Sequence, residues 1–443
     1  MTKKRIHGSG IPLGWTAEVD PLPGIGFRRR ITQPAKSVRA LVEDSSENHL
    51  LVVAPTGAGK GRHIIIPTLL YDEAPAVVLD IKGEAAAVTA AYRRKAMKHE
   101  VTIIDPWKRV KGSKGQFNPL QILRVGSPSI ADDAFALASL LKQPGASPND
   151  PYWNERAESL IAGLMVYVAT SPKEEARDMG RVHALLHMSD LVYSLARILD
   201  DNPEMDQFAY SQIAALVGLS ADNTRHGIIS TAQSLVRCFA SEAVKAAFAA
   251  TSFDVDRFVS GAAQTIFIVV PPDKLESHAS ILRLWISALI NIVTSRNTRP
   301  PCSTLFIVDE VAQLGPMPQM KQAVTLTRGY GVRTMLFLQS PSQLKTLFLK
   351  DSEVITENCG TLITFGHLRA GMSKSMAQIF GDITEDALAT MSNTQLAVKE
   401  GSAQTRILDR VDYLSHSPFA TRAQANPMFA NISSAEEVDV AKV

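Results

Sequence analysis

An apolar run, a glycine-rich loop and a helix-opening segment follow one another in LVVAPTGAGKGRHIIIPTLL, Leu51 to Leu70. The loop, Ala54–Gly61, is composed to hold phosphate. Gly57 and Gly59 allow backbone conformations that turn successive N–H groups inward onto anionic oxygens. A helix starting directly after it adds the partial positive charge of its N-terminus. Lys60 supplies a point charge for the β- and γ-phosphates of a nucleoside triphosphate. The expected nucleotide-binding residues are Thr56, Gly57, Ala58, Gly59, Lys60, Gly61 and Arg62, joined by Asp80. Two positions depart from the usual pattern. Ala54 replaces the first glycine, a small-for-small change. Gly61 replaces the Ser or Thr whose hydroxyl normally ligates Mg²⁺. The metal must then rely on phosphate oxygens, water and acids elsewhere in the chain.

Three further stretches could supply the rest of the chemistry. LFIVDE, Leu305–Glu310, is an apolar strand ending in two carboxylates. After a phosphate loop, Asp309 is placed to hold Mg²⁺ through water, and Glu310 to orient or deprotonate an attacking water. LDIKGE, Leu79–Glu84, also ends a strand. Asp80 there either supports the metal or caps the following helix. TRGYGVRTMLFLQS, Thr327–Ser340, ends a strand in Gln339, which can sense the γ-phosphate or position water. Its glycine-rich turn carries Arg328. The ten histidines show no metal-ligand spacing, and His63 reads as a residue of the helix after the loop.

These residues need strands to present them. Short apolar runs without alternation begin at His49, Ala76, Val101, Gln264, Thr304, Arg333 and Thr361. Such runs suit strands buried on both faces, and the helical patterns between them suit crossover connections. The expected fold is α/β, a phosphate-loop domain with a mostly parallel central sheet flanked by helices. Residues 125–254 read only as helices and form an expected all-α insert, between segments 46–124 and 255–443 of the nucleotide-binding domain. Residues 1–45 read as an irregular basic arm, with Lys3, Lys4, Arg5, Arg28, Arg29, Arg30, Lys36 and Arg39 against Glu18 and Asp20. Such an arm suits an anionic surface.

The chain has 443 residues, 45% of them hydrophobic, and a net charge of +2. That excludes a disordered chain and a surface basic throughout, while leaving room for a local basic channel. Three scattered cysteines argue for a reducing compartment rather than a disulfide framework. No run of eighteen apolar residues occurs, and ILRLWISALINIV from Ile281 reads as a buried helix. A soluble cytoplasmic protein is therefore expected.

The order of these pieces resembles the type IV coupling proteins, the TraG/TraD-like ATPases of bacterial conjugation and type IV secretion. The matching stretches are HGSG from His7, ENHLLVVAPTGAGKG with IIIPTLL, LDIKGE, FNPL at Phe117, PYW at Pro151, LFIVDE, LGPMP near Leu314 and RGYGVRTMLFLQSPSQL. The family itself carries glycine after the lysine. The resemblance implies that the α/β domain is a RecA-like P-loop NTPase motor domain interrupted by the all-α insert, with ATP and Mg²⁺ as cofactors and a hexameric ring. In that ring Arg328 acts on the neighbouring subunit's phosphates, and Gln339 acts as a sensor. It implies DNA or relaxase-bound DNA as cargo, bound without sequence choice, and secretion-channel components as partners. The family's pair of N-terminal membrane helices has no counterpart here. The chain is thus expected to be the soluble portion or to depend on a separate membrane partner at the cytoplasmic face of the inner membrane. Two other functions compete: a soluble FtsK/HerA-like DNA translocase, and a nucleotide-switched docking receptor. Past about Ile383 the resemblance is loose and carries no functional residue.

Overall fold

A computed structural model describes residues 10–16, 39–142, 151–172 and 176–427. Of the eight basic residues of the expected arm, only Arg39 lies among them. It pairs with Asp409 at 3.2 Å.

The apolar runs form the strands of one sheet: β3 (Leu50–Val53), β4 (Ala76–Asp80), β5 (Glu100–Ile104), β6 (Gln264–Val269), β7 (Thr304–Val308), β8 (Val332–Leu338) and β9 (Thr361–Phe365). They run parallel in the order β9-β3-β8-β7-β4-β6-β5. Six of these seven strands are almost wholly buried, β5 at the sheet edge less so. Alternate residues serve opposite faces. Leu51 and Val53 pack with one hydrophobic cluster, Leu50 and Val52 with the other. Each such side chain contributes roughly 1.5–3 kcal/mol by leaving water.

Between β5 and β6 the described residues contain helices and no strand. The longest spans Pro151–Thr170. Its core positions Leu160, Ile161, Leu164 and Met165 join the same cluster as Leu51 and Val77. The helical segment therefore shares a core with one face of the sheet. Trp285, on the helix Pro272–Thr294, is fully buried and donates its indole N–H to the Phe117 carbonyl at 2.9 Å. That contact fixes the FNPL segment at the junction. Arg283 on the same helix donates to the carbonyls of Leu140 and Leu314 at 2.9 and 3.1 Å. This is the one helix among the described residues long and apolar enough to cross a membrane, and most of it is buried in the protein.

Four strands were not expected. β10 (Gln395–Glu400) and β11 (Arg406–Asp409) extend the sheet antiparallel beyond β9. Within the region expected to be an irregular arm, β1 (Ile11–Trp15) and β2 (Leu41–Asp44) continue it. The arm reading fails for these residues because the sheet edge supplies the missing partners. β1, which lies between β2 and β11, contains a proline and a glycine, and its pairing with β2 shifts register between Pro12 and Gly14. Asp44 ties this addition to the parallel strands. It is fully buried, accepts from Thr361 Oγ1 at 2.7 Å, and pairs with Arg333 at 2.8 Å.

Removing one partner of a buried ion pair leaves the other charge uncompensated. Asp44→Ala should therefore destabilise the protein by on the order of 3 kcal/mol, read from urea denaturation. A change within experimental error would show that β1 and β2 are not held through this pair.

Candidate nucleotide site

The C-terminal ends of β3, β4, β7 and β8 lie on one edge of the sheet because these strands are parallel and in register. The phosphate loop leaves β3 there. Gly57 and Gly59 adopt φ of 80° and 88°, the left-handed region that favours glycine. A side chain at Gly59 would also strike His63, with its Cβ 2.5 Å from the ring. Thr56 and Gly57 form the exposed tip. The chain then enters a π-helical turn, Gly61–Ile65, that runs directly into helix α1, Ile66–Tyr71.

Lys60 folds into the loop and donates to the Ala54 carbonyl at 2.9 Å. Burial lowers its pKa, and the nearby Glu310 and Asp309 pull it back up. Those two carboxylates stand immediately after β7. Burial pushes the Asp309 carboxyl up to about 6, Lys60 opposing and Glu310 reinforcing. Glu310 is largely buried and has φ 65° and ψ 65°, a left-handed conformation that costs a non-glycine residue roughly 1 kcal/mol or more. The twist turns its side chain toward the end of β8. There Gln339 donates to Glu310 Oε2 at 2.7 Å, and Gln343 donates to Oε1 at 3.3 Å. Gln343 also accepts the Gln339 backbone N–H at 2.7 Å. Lys60, Asp309, Glu310 and Gln339 are thus brought together.

Asp80 is close by but faces a helix. Its Oδ2 accepts from the Ala86 backbone N–H at 2.8 Å, in the first turn of helix α2, Glu84–Lys95. Burial pushes its pKa up to about 7, with Asp309 and Glu84 adding to the rise and the Ala86 hydrogen bond opposing it. Of its two expected roles, helix capping is the one with a direct contact.

Two other residues sit away from the loop's inner face. Arg62, expected among the nucleotide contacts, makes a two-pronged ion pair with Asp412, with Nε at 2.8 Å and Nη2 at 2.5 Å. That commits its guanidinium to the C-terminal segment. Arg328 lies in the turn before β8, at the opposite edge of the sheet from the loop, and is exposed. His49, just before β3, feels its charge. Burial chiefly, then Arg328 and Arg333, lowers the His49 pKa to about 4.

Sequence reasoning missed the residues that brace the loop from outside. Arg410 donates to the Ala58 carbonyl and to the Gln395 carbonyl, both at 3.0 Å, and lies over the Phe365 ring at 4.3 Å. His63 meets the Val411 carbonyl at 2.7 Å. These partners are hundreds of positions apart, and no local pattern announces them. Gln343, by contrast, sits four residues after Gln339, the spacing at which a helix-opening side chain can turn back.

Among the described residues, no three His, Cys, Asp or Glu side chains are grouped to hold a metal by themselves. A divalent cation here would have to share oxygens with a phosphate. The carboxylates fit one. Asp309 and Glu310 face the positive charge of Lys60, and burial raises the carboxyls of Asp80 and Asp309.

The family model for type IV secretory system conjugative DNA transfer matches residues 26–410. The conjugal transfer protein TraG of Escherichia coli is 24% identical over 375 residues, covering 77% of this chain and 56% of TraG. The type IV secretion system-coupling protein VirD4 of Bartonella henselae is 25% identical over 387 residues, covering 84% of this chain and 59% of VirD4. The chain thus spans a little over half the length of these curated relatives. The plasmid coupling protein TrwB, solved with the ATP analogue ADPNP, superposes with a TM-score of 0.64 at 15% identity over 84% of this chain and 87% of TrwB. It has also been solved with ADP and Mg²⁺. The likeness to TrwB shows that the two chains share a fold, here a mostly parallel sheet flanked by helices. The chain belongs to the type IV secretory system conjugative DNA transfer family.

The charge on Asp309 has a measurable cost. Burial pushes its carboxyl up to about 6 in the folded chain, well above the ordinary aspartate range. The ionised form therefore destabilises the nucleotide-free fold as pH rises through that window. Asp309→Asn should be more stable than the wild type at pH 8 by on the order of 2 kcal/mol, and the gap should close below pH 4. Thermal melts across pH 4–8 check this, and an equal or lower melting temperature for the variant at pH 8 would contradict it.

Proposed function

We propose that this chain is an ATP-hydrolysing coupling motor. It brings DNA, or a relaxase-bound DNA, to a type IV secretion channel and drives it onward. One observation carries the hydrolytic reading: Glu310, turned out of β7 in a costly backbone conformation, is clasped through both carboxylate oxygens by Gln339 and Gln343 beside the Lys60 loop. A protein that used nucleotide only as a switch would not need a positioned water-activating carboxylate.

In this reading the backbone N–H groups of Thr56 to Gly61 cradle the phosphates, and Lys60 exchanges the Ala54 carbonyl for phosphate oxygens. Mg²⁺ bound with ATP would neutralise charge on the phosphates, and Asp309 would hold it, directly or through water. Glu310 takes the proton of the attacking water while Gln339 orients it. Asp80 keeps α2 in place beside them. Arg328 cannot serve its own loop from the far edge of the sheet, so it completes the site of a neighbouring subunit in a homo-hexameric ring. The ring's phosphate contacts hold DNA without sequence choice. The protein works in the cytoplasm, at the inner face of the membrane with secretion-channel partners. Family membership favours this over a stand-alone translocase or a docking receptor.

ATP turnover with and without DNA tests the reading. Wild-type turnover should rise with DNA, and Lys60→Ala should show none. Glu310→Gln should bind ATP with Mg²⁺ yet turn over about a hundredfold more slowly, a loss of general-base size. Turnover indifferent to DNA would point to the docking receptor. Failure of Glu310→Gln to bind ATP would remove Glu310 from the role of base.

A further inference from the structure

Gly61 leaves the nucleotide site without the hydroxyl that usually helps hold Mg²⁺. We infer that Glu84 takes its place, presenting a carboxylate oxygen to the nucleotide-bound metal, directly or through one water. This rests on the nucleotide reading above and names the ligand that reading lacks.

The argument begins at the empty position. A Cβ built on Gly61 would have one neighbour at the limit of contact, Glu84 Oε2 at 4.0 Å. A serine hydroxyl at this position would extend about 1.4 Å from that Cβ and bind Mg²⁺ at about 2.0–2.1 Å. An oxygen 4.0 Å from the same Cβ borders the same space. Carboxylate oxygen is also the ligand chemistry Mg²⁺ prefers, and Mg²⁺ commonly keeps waters between itself and such groups.

Glu84 is held for this task. It is the first residue of α2, four positions after Asp80 at the end of β4. Its Oε1 accepts from Asn426 Nδ2 at 2.6 Å, and the same amide meets the Tyr413 hydroxyl at 2.7 Å. One oxygen is thus anchored by the C-terminal segment while the other faces Gly61. The negative charge of Glu84 also reaches both Asp80 and Asp309, which places it in the same electrostatic cluster. An acid in the first turn stabilises a helix without any ligand, so the test must separate the two roles.

The probe is Mn²⁺ in place of Mg²⁺, titrated into the protein–ADP complex and followed by electron paramagnetic resonance. ADP affinity in EDTA is measured alongside. Glu84→Gln keeps an acceptor for Asn426 and removes the charge. It should weaken Mn²⁺ binding about tenfold, the size of effect seen for groups that support a metal's ligands. Metal-free ADP affinity should not change. Gly61→Ser fits, because the glycine's φ is not left-handed and its Cβ meets nothing closer than 4.0 Å. Adding it to Glu84→Gln should restore most of the lost metal affinity. Unchanged Mn²⁺ affinity in Glu84→Gln would overturn the assignment and leave Glu84 a helix-terminal acid. Loss that Gly61→Ser does not repair would equally overturn the shared role. If the wild type binds no ADP at all, the nucleotide reading falls and this inference falls with it.

Discussion

The parallel pairing of β3 with β8, β8 with β7, and β7 with β4 is the constraint on which the site depends. Parallel strands in register end on the same edge. The loop after β3, the carboxylates after β7 and the glutamine after β8 therefore meet without any residue having to reach far. The same rule puts Arg328 on the wrong edge for its own loop, since it precedes β8 rather than following it. Most of the candidate nucleotide site thus lies at one edge and the exposed Arg328 guanidinium at the other. That division is what supports the proposal of catalysis between subunits.

The loop is not self-supporting. Its carbonyl at Ala58 is held by Arg410, its helix by Val411 and Asp412, and the acid beside it, Glu84, by Asn426. All these contacts come from the chain after β11. Burial lowers the Arg410 pKa to about 10, the mark of a cation desolvated against carbonyls and an aromatic face. The segment that closes the sheet thus also stiffens the phosphate site. A change in its position would be felt at the loop through four named contacts.

Much of this was legible in the sequence, for a physical reason. Central strands buried on both faces must be apolar throughout, so the parallel strands stand out as uninterrupted runs. The loop and the strand-end acids follow them directly. β2, at the sheet edge, and β1, β11 and β10 beside it were hidden because they are short and not uninterrupted apolar runs, and residues such as Pro12 and Gly14 look like loop. The partner of Arg62 was hidden because it depends on a contact that only the folded chain creates, whereas Gln343 stood at a readable spacing from Gln339 and was passed over. Arg62 reads as a phosphate-loop residue by position and becomes a brace because Asp412 lies opposite it.

In the proposed ring, an intact site forms only where one subunit's loop meets another's Arg328. Mixing two inactive proteins tests it most directly. Lys60→Ala lacks a working loop and Arg328→Ala lacks the guanidinium, but at a mixed interface an intact loop faces an intact arginine. The account predicts that the 1:1 mixture regains ATP turnover that neither variant has alone, rising more steeply than linearly with protein concentration. No recovery in the mixture, together with wild-type turnover per subunit that does not depend on concentration, would contradict it.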